Sequence, residues 1–357
     1  MHNPQKILVV LVAGMGDLIL ASKSIRSIKN GRQGSASISL LTSSDAAVIA
    51  RAYPYIEKVL VFPIRELRND KMRFCEIGRL VQHLRKTEFD QIINLYRVSS
   101  RPGAMKMGFL FALLKSKIKI GQNRYGFGHF LTNSVPSQIF AGCHIADAMH
   151  EIALKAGGVP DDQGIEVFWN KGAECKWSPF FDDIQGKIVI GINPGGDRAN
   201  RRWASERFAA VASRLIEKFG AQIILLGGPG DRDIASSIEK RIPGSVSNLS
   251  GAVPLDELPY VISRLDLLVT NDSGPMHIAA ATKTPLVAIF GPEDPRLFGP
   301  YTLPDLYRVI QREVPCRPCA DEKCMRPLCL EIVTANEVMA ACTEMLEASS
   351  STKKQPV

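Results

Sequence analysis

A carboxylate follows the first apolar segment of the chain, in the turn Gly14-Met15-Gly16-Asp17. Glycines let the backbone turn sharply, and a helix that starts here offers free N–H groups and the positive end of its dipole. The turn does not fit the dinucleotide fingerprint, because a third glycine and an acidic residue at the end of the next strand are missing. Asp17 is therefore either a helix N-cap or a general base.

The segment after the apolar run Ile188–Ile192 combines two glycines with two arginines, Gly195, Gly196, Arg201 and Arg202. The glycines permit a close approach of the backbone to a ligand, and a guanidinium can bind phosphate oxygens in a bidentate manner. A loop with solvated arginines is the simpler explanation. The position directly after a buried strand favours an anion site.

Another glycine-rich turn, after the run Gln222–Leu226, carries Asp231 and Asp233. Their D-x-D spacing is one that can bind a metal ion. Acidic residues are also stabilised in the first turn of a helix by its dipole. We interpret both as helix-start residues, with Asp231 placed to contact a ligand.

The turn after the run Leu267–Thr270 presents Asp272, Ser273, Gly274 and His277. It would offer one carboxylate, one hydroxyl and free N–H groups at a helix start. A histidine at this position is either satisfied within the structure or contacts a phosphate or a sugar. The turn is the fourth candidate for ligand binding.

Four of the eight cysteines stand together late in the chain, as Cys316, Cys319, Cys324 and Cys329. Four thiols suit a tetrahedral zinc or iron ion, although the spacing departs from the usual paired C-x2-C pattern. The alternative is a set of reduced thiols with some pairing. The other cysteines are scattered, which argues against a disulfide scaffold.

Short runs rich in Ile, Leu and Val alternate with segments of helical periodicity along the whole chain. Such strands are buried on both faces, as in parallel sheets covered by helices. Two blocks of this alternation meet within Gly157–Lys187 and predict an α/β protein with two doubly wound domains. Ligands bind beyond the carboxyl ends of such strands, where the four turns lie. The predicted strands are Lys6–Val12, Ser37–Leu41, Lys58–Phe62, Gln91–Tyr96, Ile118–Ile120, Ile188–Ile192, Gln222–Leu226, Leu267–Thr270, Leu286–Phe290 and Tyr307–Ile310, and the predicted helices include Leu18–Lys29, Glu206–Phe219 and Leu255–Arg264.

Length and composition agree with two folded domains. The chain has 357 residues, of which 45% are hydrophobic and 22% charged, and 28 glycines and 22 prolines are too few for a fibrous or disordered chain. Its apolar runs are shorter than the roughly 20 residues that a spanning helix needs. The N-terminal apolar run leads into a glycine-rich turn rather than a cleavage site, so we expect a cytoplasmic protein.

The whole of the net charge of +8 comes from the first half of the chain. Residues 1–170 contain 22 Lys and Arg against 13 Asp and Glu, whereas the remainder is nearly neutral. An anionic partner of the first domain is one explanation, and a basic solvated surface is the other. Nucleic acid is not expected, because no nucleic-acid-binding motif is present. The stretch Met107–Leu114, flanked by lysines, is interpreted as a core-packed helix, with contact to anionic lipid as the alternative.

Taken in order, these motifs resemble glycosyltransferase family 9, the bacterial ADP-heptose–lipopolysaccharide heptosyltransferases. The resemblance covers most of the chain, and its most specific part runs from Asn271 to Pro292. Arg201 departs from the pattern, because the family usually has a lysine there that contacts the donor phosphates. The matching motifs are Gly16-Asp17, Pro194-Gly195, Arg201-Arg202-Trp203, Leu226-Gly-Gly-Pro-Gly, Asn271-Asp-Ser-Gly-Pro-Met-His277 and Ile289-Phe-Gly-Pro292.

The resemblance implies the GT-B architecture, with two Rossmann-like domains facing each other across a cleft. Residues 1–170 would bind an acidic lipopolysaccharide core acceptor, residues 171–348 would bind the nucleotide-sugar, and residues 349–357 would form a disordered tail. Asp17 corresponds to the proposed general base, on an acceptor-side turn with Gly14 and Gly16. Arg201 would assist catalysis at the donor phosphates. The donor contacts would come from Gly195, Gly196, Arg201, Asp231, Asp272, Ser273, Gly274 and His277.

The implied reaction is an inverting, metal-independent transfer of heptose from ADP-heptose to an inner-core hydroxyl. No cofactor is expected for catalysis, and a zinc or iron ion at the cysteines would be structural. Contact with the cytoplasmic face of the inner membrane is compatible with such an acceptor. The alternatives are another nucleotide-sugar donor, a protein acceptor, or a catalytically silent nucleotide-binding module.

Overall fold

The computed structural model divides into two units, Met1–Phe168 and Trp169–Val357. The division falls inside the predicted boundary segment Gly157–Lys187, where glycine and proline interrupt the periodicity. The structure describes residues 4–33, 35–63, 74–136, 138, 142–317, 319, 324 and 326–352.

In the described part of the first unit, six parallel strands form one sheet in the order β3-β2-β1-β4-β5-β6. Strand β1 lies between β2 and β4, with Ile7 opposite Ile38 on one side and Gln91 on the other. Nearly every residue of β1 is buried, as expected for a strand covered on both faces. The strands are β1 (Gln5–Leu11), β2 (Ala36–Thr42), β3 (Lys58–Val61), β4 (Gln91–Asn94), β5 (Ile118–Asn123) and β6 (Asn133–Pro136).

Helices form most of the crossover connections that parallel strands need, whereas a loop joins β5 to β6. The longest of them is buried continuously from Leu18 to Ile28. The helices of this unit are α1 (Met15–Asn30), α2 (Ser44–Ala50), α3 (Phe74–Lys86), α4 (Arg101–Leu113) and α5 (Ile145–Lys155).

The second unit repeats the design, and its described strands pair in the order β12-β11-β10-β7-β8-β9, all parallel. The central strands are fully buried runs of Ile, Leu and Val. The strands are β7 (Val189–Asn193), β8 (Gln222–Leu225), β9 (Val246–Asn248), β10 (Leu267–Asn271), β11 (Leu286–Ile289) and β12 (Tyr307–Ile310). The prediction of an α/β protein with two Rossmann-like doubly wound domains is confirmed.

Helical periodicity explains how the helices of this unit pack. In the helix over Ser205–Phe219, Phe208, Val211, Ala212 and Leu215 recur every three or four residues and are buried, and Gly220 ends the helix at φ 61°. The helices are α6 (Lys171–Asp182), α7 (Ser205–Phe219), α8 (Arg232–Glu239), α9 (Leu258–Ser263), α10 (Gly274–Thr282), α11 (Pro295–Phe298), α12 (Leu328–Glu331) and α13 (Ala335–Thr352), with short 3-10 turns at Ala199–Arg201, Pro229–Asp231 and Pro304–Leu306.

The structure adds two strands that the sequence analysis did not predict, β6 and β9. Both are sheet edges of three or four residues with polar side chains, so they lack the apolar run that marks the other strands. Helix α1 begins at Met15, three residues before the predicted start.

The predicted disordered tail at 349–357 is wrong in its first four residues, which continue helix α13 to Thr352. Thr334 and Glu337 exchange hydrogen bonds at the start of α13, and buried residues such as Cys342 and Met345 anchor its middle. Once a helix is anchored, each further residue adds a hydrogen bond at little cost. Residues 353–357 lie outside the described part of the chain.

Each sheet has one point where the strand order reverses, between β1 and β4 in the first unit and between β7 and β10 in the second. The loops after these strands diverge there and leave a crevice at the carboxyl ends. Asp17 follows β1, and the glycine–arginine loop and the Asp272 turn follow β7 and β10. The topology therefore places these predicted site residues at the two crevices.

A buried ion-pair cluster fixes helix α1 to the segment that ends the first unit. The Arg26 guanidinium donates two hydrogen bonds to Asp161, at 2.7 and 2.6 Å, and its third nitrogen lies 2.5 Å from a Glu166 oxygen. Tyr55 donates to the same Glu166 at 2.9 Å. Burial alone would raise the pKa of Asp161, but the hydrogen bonds and charge of Arg26 hold it below the ordinary value.

Replacing Arg26 with Ala should destabilise the protein by about 3–5 kcal/mol near neutral pH, because it leaves buried carboxylates without their cation. Since the folded-state pKa of Asp161 is depressed, this stabilisation is present above its unfolded value near 3.9 and is lost as the pH falls further. Urea unfolding of parent and variant at several pH values measures the difference. As a control, Lys218→Ala removes an exposed pair with Glu347 and should cost less than about 1 kcal/mol; equal losses in the two variants would contradict the assignment.

Candidate functional site

A buried carboxamide joins the two loops at the crevice of the second unit. The Asn271 side chain donates to the backbone oxygens of Pro194 and Gly195, at 2.8 and 3.1 Å, and accepts from the Trp203 N–H at 3.0 Å. Asn271 is fully buried at the end of β10. One side chain thus holds both ends of the glycine–arginine loop beside the turn that starts α10.

Arg201 lies between two carboxylates in this crevice. One guanidinium nitrogen is 3.1 Å from an Asp272 oxygen, and another forms a short ion pair with Glu293, which follows β11. The Asp272 side chain is nearly inaccessible, whereas Glu293 is 30% exposed. The site therefore holds its arginine with one buried and one accessible carboxylate.

Burial raises the pKa of Asp272 to about 6, and Glu293 adds to the rise, while Arg201 and Arg198 oppose it. A carboxyl with this pKa is mainly ionised at neutral pH. The charge on Asp272 thus depends on the cation beside it, which explains why the two residues lie together.

The second arginine of the loop, Arg202, stabilises the glycine turn. Arg202 donates two hydrogen bonds to the Gly196 backbone oxygen, at 2.8 and 2.6 Å, and its guanidinium is 3.8 Å from Asp231. Gly196 has φ 150°, a conformation that other residues rarely adopt. Arg202 thereby fixes the glycine turn while Arg201 faces the carboxylates.

Asp231 lies at the start of α8, as predicted, and packs between two glycine-rich turns. It accepts from the Gly228 N–H at 2.9 Å, and a Cβ atom at Gly195 would lie 2.3 Å from its carboxylate. Gly195 is therefore required by this close approach. Asp233 is exposed in the first turn of α8.

The turn before α10 places Ser273, Gly274 and His277 next to the loop. The Ser273 hydroxyl accepts from the Asn193 amide at 3.1 Å and donates to the Asn271 backbone oxygen at 3.2 Å. The Ser273 side chain does not cap α10, so it leaves the first backbone N–H groups of the helix for a ligand. His277 is buried one turn further along.

The first unit has its own crevice with Gly14, Gly16 and Asp17. Gly14 is the N-cap of α1, so the interpretation of Asp17 as the cap is wrong. Asp17 lies in the first helical turn and is half-buried. Gly14 has the extended backbone of an N-cap residue, at φ −73° and ψ 174°, and lies three residues beyond the end of β1.

The four clustered cysteines border one small cavity of about 50 Å³ in the second unit, together with Arg317 and Pro327. Their thiols are reduced. Burial raises the pKa of the Cys329 thiol, which Arg317 partly opposes. In the part of the chain that the structure describes, no three His, Cys, Asp or Glu side chains are grouped closely enough to hold a metal ion. As positioned, the cysteines converge without forming a ligand shell.

The structure brings the predicted donor-side residues of the second unit together and keeps Gly14, Gly16 and Asp17 at the crevice of the first. Sequence reasoning missed Asn193, Asn271 as an anchor, and Glu293. Asn193 and Asn271 end β7 and β10, and Glu293 follows β11, so each obeys the rule that selected the other candidates. No sequence signal marked these residues, because two amides and a loop glutamate form no motif by themselves and their role is to position other groups.

No helix among the described residues is long and apolar enough to cross a membrane. Fold and site together define an α/β protein of two Rossmann-like domains, with a glycine-rich crevice in the second that holds Arg201. The family model described as "Glycosyltransferase family 9 (heptosyltransferase)" matches residues 77–329. The chain belongs to this family and is a glycosyltransferase, which confirms the resemblance.

Known proteins resemble the chain over almost its entire length. Lipopolysaccharide heptosyltransferase 3 of Escherichia coli is 24% identical over 350 residues, which cover 94% of this chain and 97% of the relative. A family 9 glycosyltransferase structure from Veillonella parvula has a TM-score of 0.80 at 21% identity, covering 98% and 99% of the two chains. The structure of E. coli ADP-heptose lps heptosyltransferase II has a TM-score of 0.74 at 21% identity, covering 97% and 100%.

Glu293 shares the Arg201 guanidinium, so a phosphate that binds Arg201 would compete with this carboxylate. Glu293→Gln should therefore tighten ADP binding by about 3- to 10-fold, the effect of roughly 1 kcal/mol of relieved competition. Calorimetric titration of parent and variant with ADP measures the change. Asp294→Asn is the matched control, because Asp294 pairs with the exposed Arg296 on the same loop and should leave affinity unchanged. Weaker binding in Glu293→Gln would show that Glu293 supports the ligand instead.

Proposed function

We propose that this protein is an inverting glycosyltransferase that moves a heptose from ADP-heptose to a hydroxyl of the lipopolysaccharide inner core. The position of Arg201 carries the proposal. Its ion pair with Asp272 holds the guanidinium beside the glycine turn and the start of α10. The names of relatives support the acceptor and the transferred sugar, because they are lipopolysaccharide heptosyltransferases, and the name of the E. coli ADP-heptose lps heptosyltransferase II supports the donor. The basic first half of the chain suits an acidic acceptor.

The second unit binds the donor in this proposal. Arg201 binds the diphosphate with its planar guanidinium after Glu293 leaves it, while Asp272 keeps the side chain in place. The N–H groups of Gly195 and Gly196 and the first turn of α10, which starts at Gly274, add hydrogen bonds and a favourable dipole. Asp231 sets the turn that carries Gly195, and His277 lies behind the site for contact with phosphate or sugar.

The first unit binds the acceptor, and Asp17 acts as the general base. The acceptor oxygen attacks the anomeric carbon while the bond from that carbon to the diphosphate oxygen breaks, and ADP leaves with the bonding electrons. Asp17 takes the proton of the acceptor hydroxyl. Attack from the face opposite the leaving group inverts the anomeric configuration. Arg201 and the backbone N–H groups offset the charge that grows on the diphosphate, so the transfer requires no cofactor.

The defining experiment is mass spectrometry of the products formed from a panel of nucleotide-sugars and a truncated lipopolysaccharide acceptor. The proposal requires an acceptor product heavier by one heptose, formed from ADP-heptose. A product from another nucleotide-sugar alone, or with a protein acceptor only, would reassign the substrates. Absence of any product, with ADP still bound, would indicate a nucleotide-binding module without transfer activity.

Asp17→Asn should lower kcat by roughly 10²- to 10⁴-fold, because it removes the base that accepts the hydroxyl proton. Loss of a charge in the first helical turn should cost only about 0.3–1 kcal/mol of stability. ADP affinity should stay at the parent value, since the donor contacts lie in the second unit. Steady-state transfer assays, thermal unfolding and ADP titration measure the three quantities.

The control for this variant is Asp45→Asn, because Asp45 also lies in the first turn of a helix, α2, after a strand of the same sheet. It should lose a similar amount of stability and keep the parent turnover number. If Asp17→Asn transfers heptose at the parent rate, the base must be another group.

Elemental analysis decides whether the cysteine cluster holds a structural zinc or iron ion. If it does, the purified protein contains near-stoichiometric metal, and Cys319→Ser loses the metal together with thermal stability, because metal-binding energy is folding energy. Cys175→Ser, at an exposed cysteine outside the cluster, should change neither. A metal-free preparation that is stable and active would leave only the thiol interpretation.

A further inference from the structure

Helix α4 has two apolar faces, of which only one belongs to the core. Ala104, Met107 and Phe111 pack inward against the sheet. Met105 and Phe109, one turn apart, are 74% and 71% exposed. The prediction of a core-packed helix at Met107–Leu114 is therefore correct for the inner face and incomplete for the outer one.

A neighbouring loop carries a third large exposed side chain. The loop packs on α4, because the Phe130 ring lies 4.7 Å from that of Phe111, and a Cβ atom at Gly108 would be 2.9 Å from His129. The same loop carries Tyr125, which is 69% exposed. We call Met105, Phe109 and Tyr125 the α4 patch. Large apolar side chains that are exposed together on one surface often mark a site of contact with a protein or a membrane.

The charge around the patch has one sign. From Gln91 to Ala146 the sequence contains no Asp or Glu, and this stretch of 56 residues supplies most of the excess positive charge of the first unit. Of its basic side chains, Lys106 lies on α4 between the two exposed apolar residues, and Lys117 is exposed near the end of the helix. The basic residues of the stretch are Arg97, Arg101, Lys106, Lys115, Lys117, Lys119 and Arg124.

We propose that the α4 patch docks the protein on an anionic phospholipid bilayer. Apolar side chains among cations match the boundary between headgroups and acyl chains, where Met105 and Phe109 insert and the lysines contact lipid phosphates. The lack of acidic residues removes repulsion from such a surface. A purely ionic partner, such as an acidic oligosaccharide, would use the cations and leave the apolar side chains in water.

Co-sedimentation of the full chain with vesicles tests the proposal. The parent should bind vesicles of phosphatidylglycerol and phosphatidylethanolamine. It should bind much more weakly to vesicles of pure phosphatidylcholine. The double variant Met105→Ser/Phe109→Ser should lower the partition coefficient at least about tenfold, since it removes the inserting side chains. Leu303→Ser is the matched control, because Leu303 is also a highly exposed apolar residue but lies in the second unit, and it should bind like the parent.

A second variant separates the ionic contribution. Lys106→Glu/Lys117→Glu should weaken binding to the anionic vesicles and reduce its dependence on salt. Unchanged ADP affinity shows that each variant is folded, and it makes the result independent of the donor site. The proposal is overturned if the parent does not bind anionic vesicles, if the serine variant binds like the parent, or if lipid-free core oligosaccharide displaces the parent completely.

Discussion

The Asn271 carboxamide is the contact on which the candidate donor site depends. It is buried at the end of β10 and holds the backbone of the loop after β7 at Pro194, Gly195 and Trp203. Parallel strands satisfy their own backbone groups in the sheet, but the loops beyond them need other partners. One amide supplies both a donor and an acceptor, so it can fix two loops that lie far apart in sequence. Arg201 reaches Asp272 because these loops are tied together.

The pairing of Arg201 with Asp272 and Glu293 sets the electrostatics of that site. A buried carboxylate without a cation is costly, so Asp272 requires the arginine as much as it orients it. Glu293 is more accessible and can be released. In this arrangement two nitrogens of one planar guanidinium pair with two carboxylates. A lysine at the same position has a single ammonium group and would pair with both less well.

Sequence alone predicted the two doubly wound units and most of the residues that the structure brings together at the crevices, because continuous Ile, Leu and Val runs mark central parallel strands and ligands bind after them. The edge strands β6 and β9 were missed since edges need no apolar run. The cap of α1 was misassigned because backbone conformation at Gly14, rather than a polar side chain, decides it. Glu293 and the anchoring role of Asn271 depend on contacts between distant segments, which local patterns do not contain.

The central claim, that Arg201 receives the donor diphosphate, is tested most directly by titrating parent, Arg201→Lys and Arg201→Ala with both ADP and adenosine. Arg201→Ala should weaken ADP at least about tenfold, since a charge-assisted contact of about 1.5 kcal/mol or more is lost. Adenosine, which lacks the diphosphate, should bind all three proteins equally, and Arg201→Lys should recover part of the ADP affinity. An equal loss for ADP and adenosine, or no loss for either, would contradict the account and move the diphosphate away from Arg201.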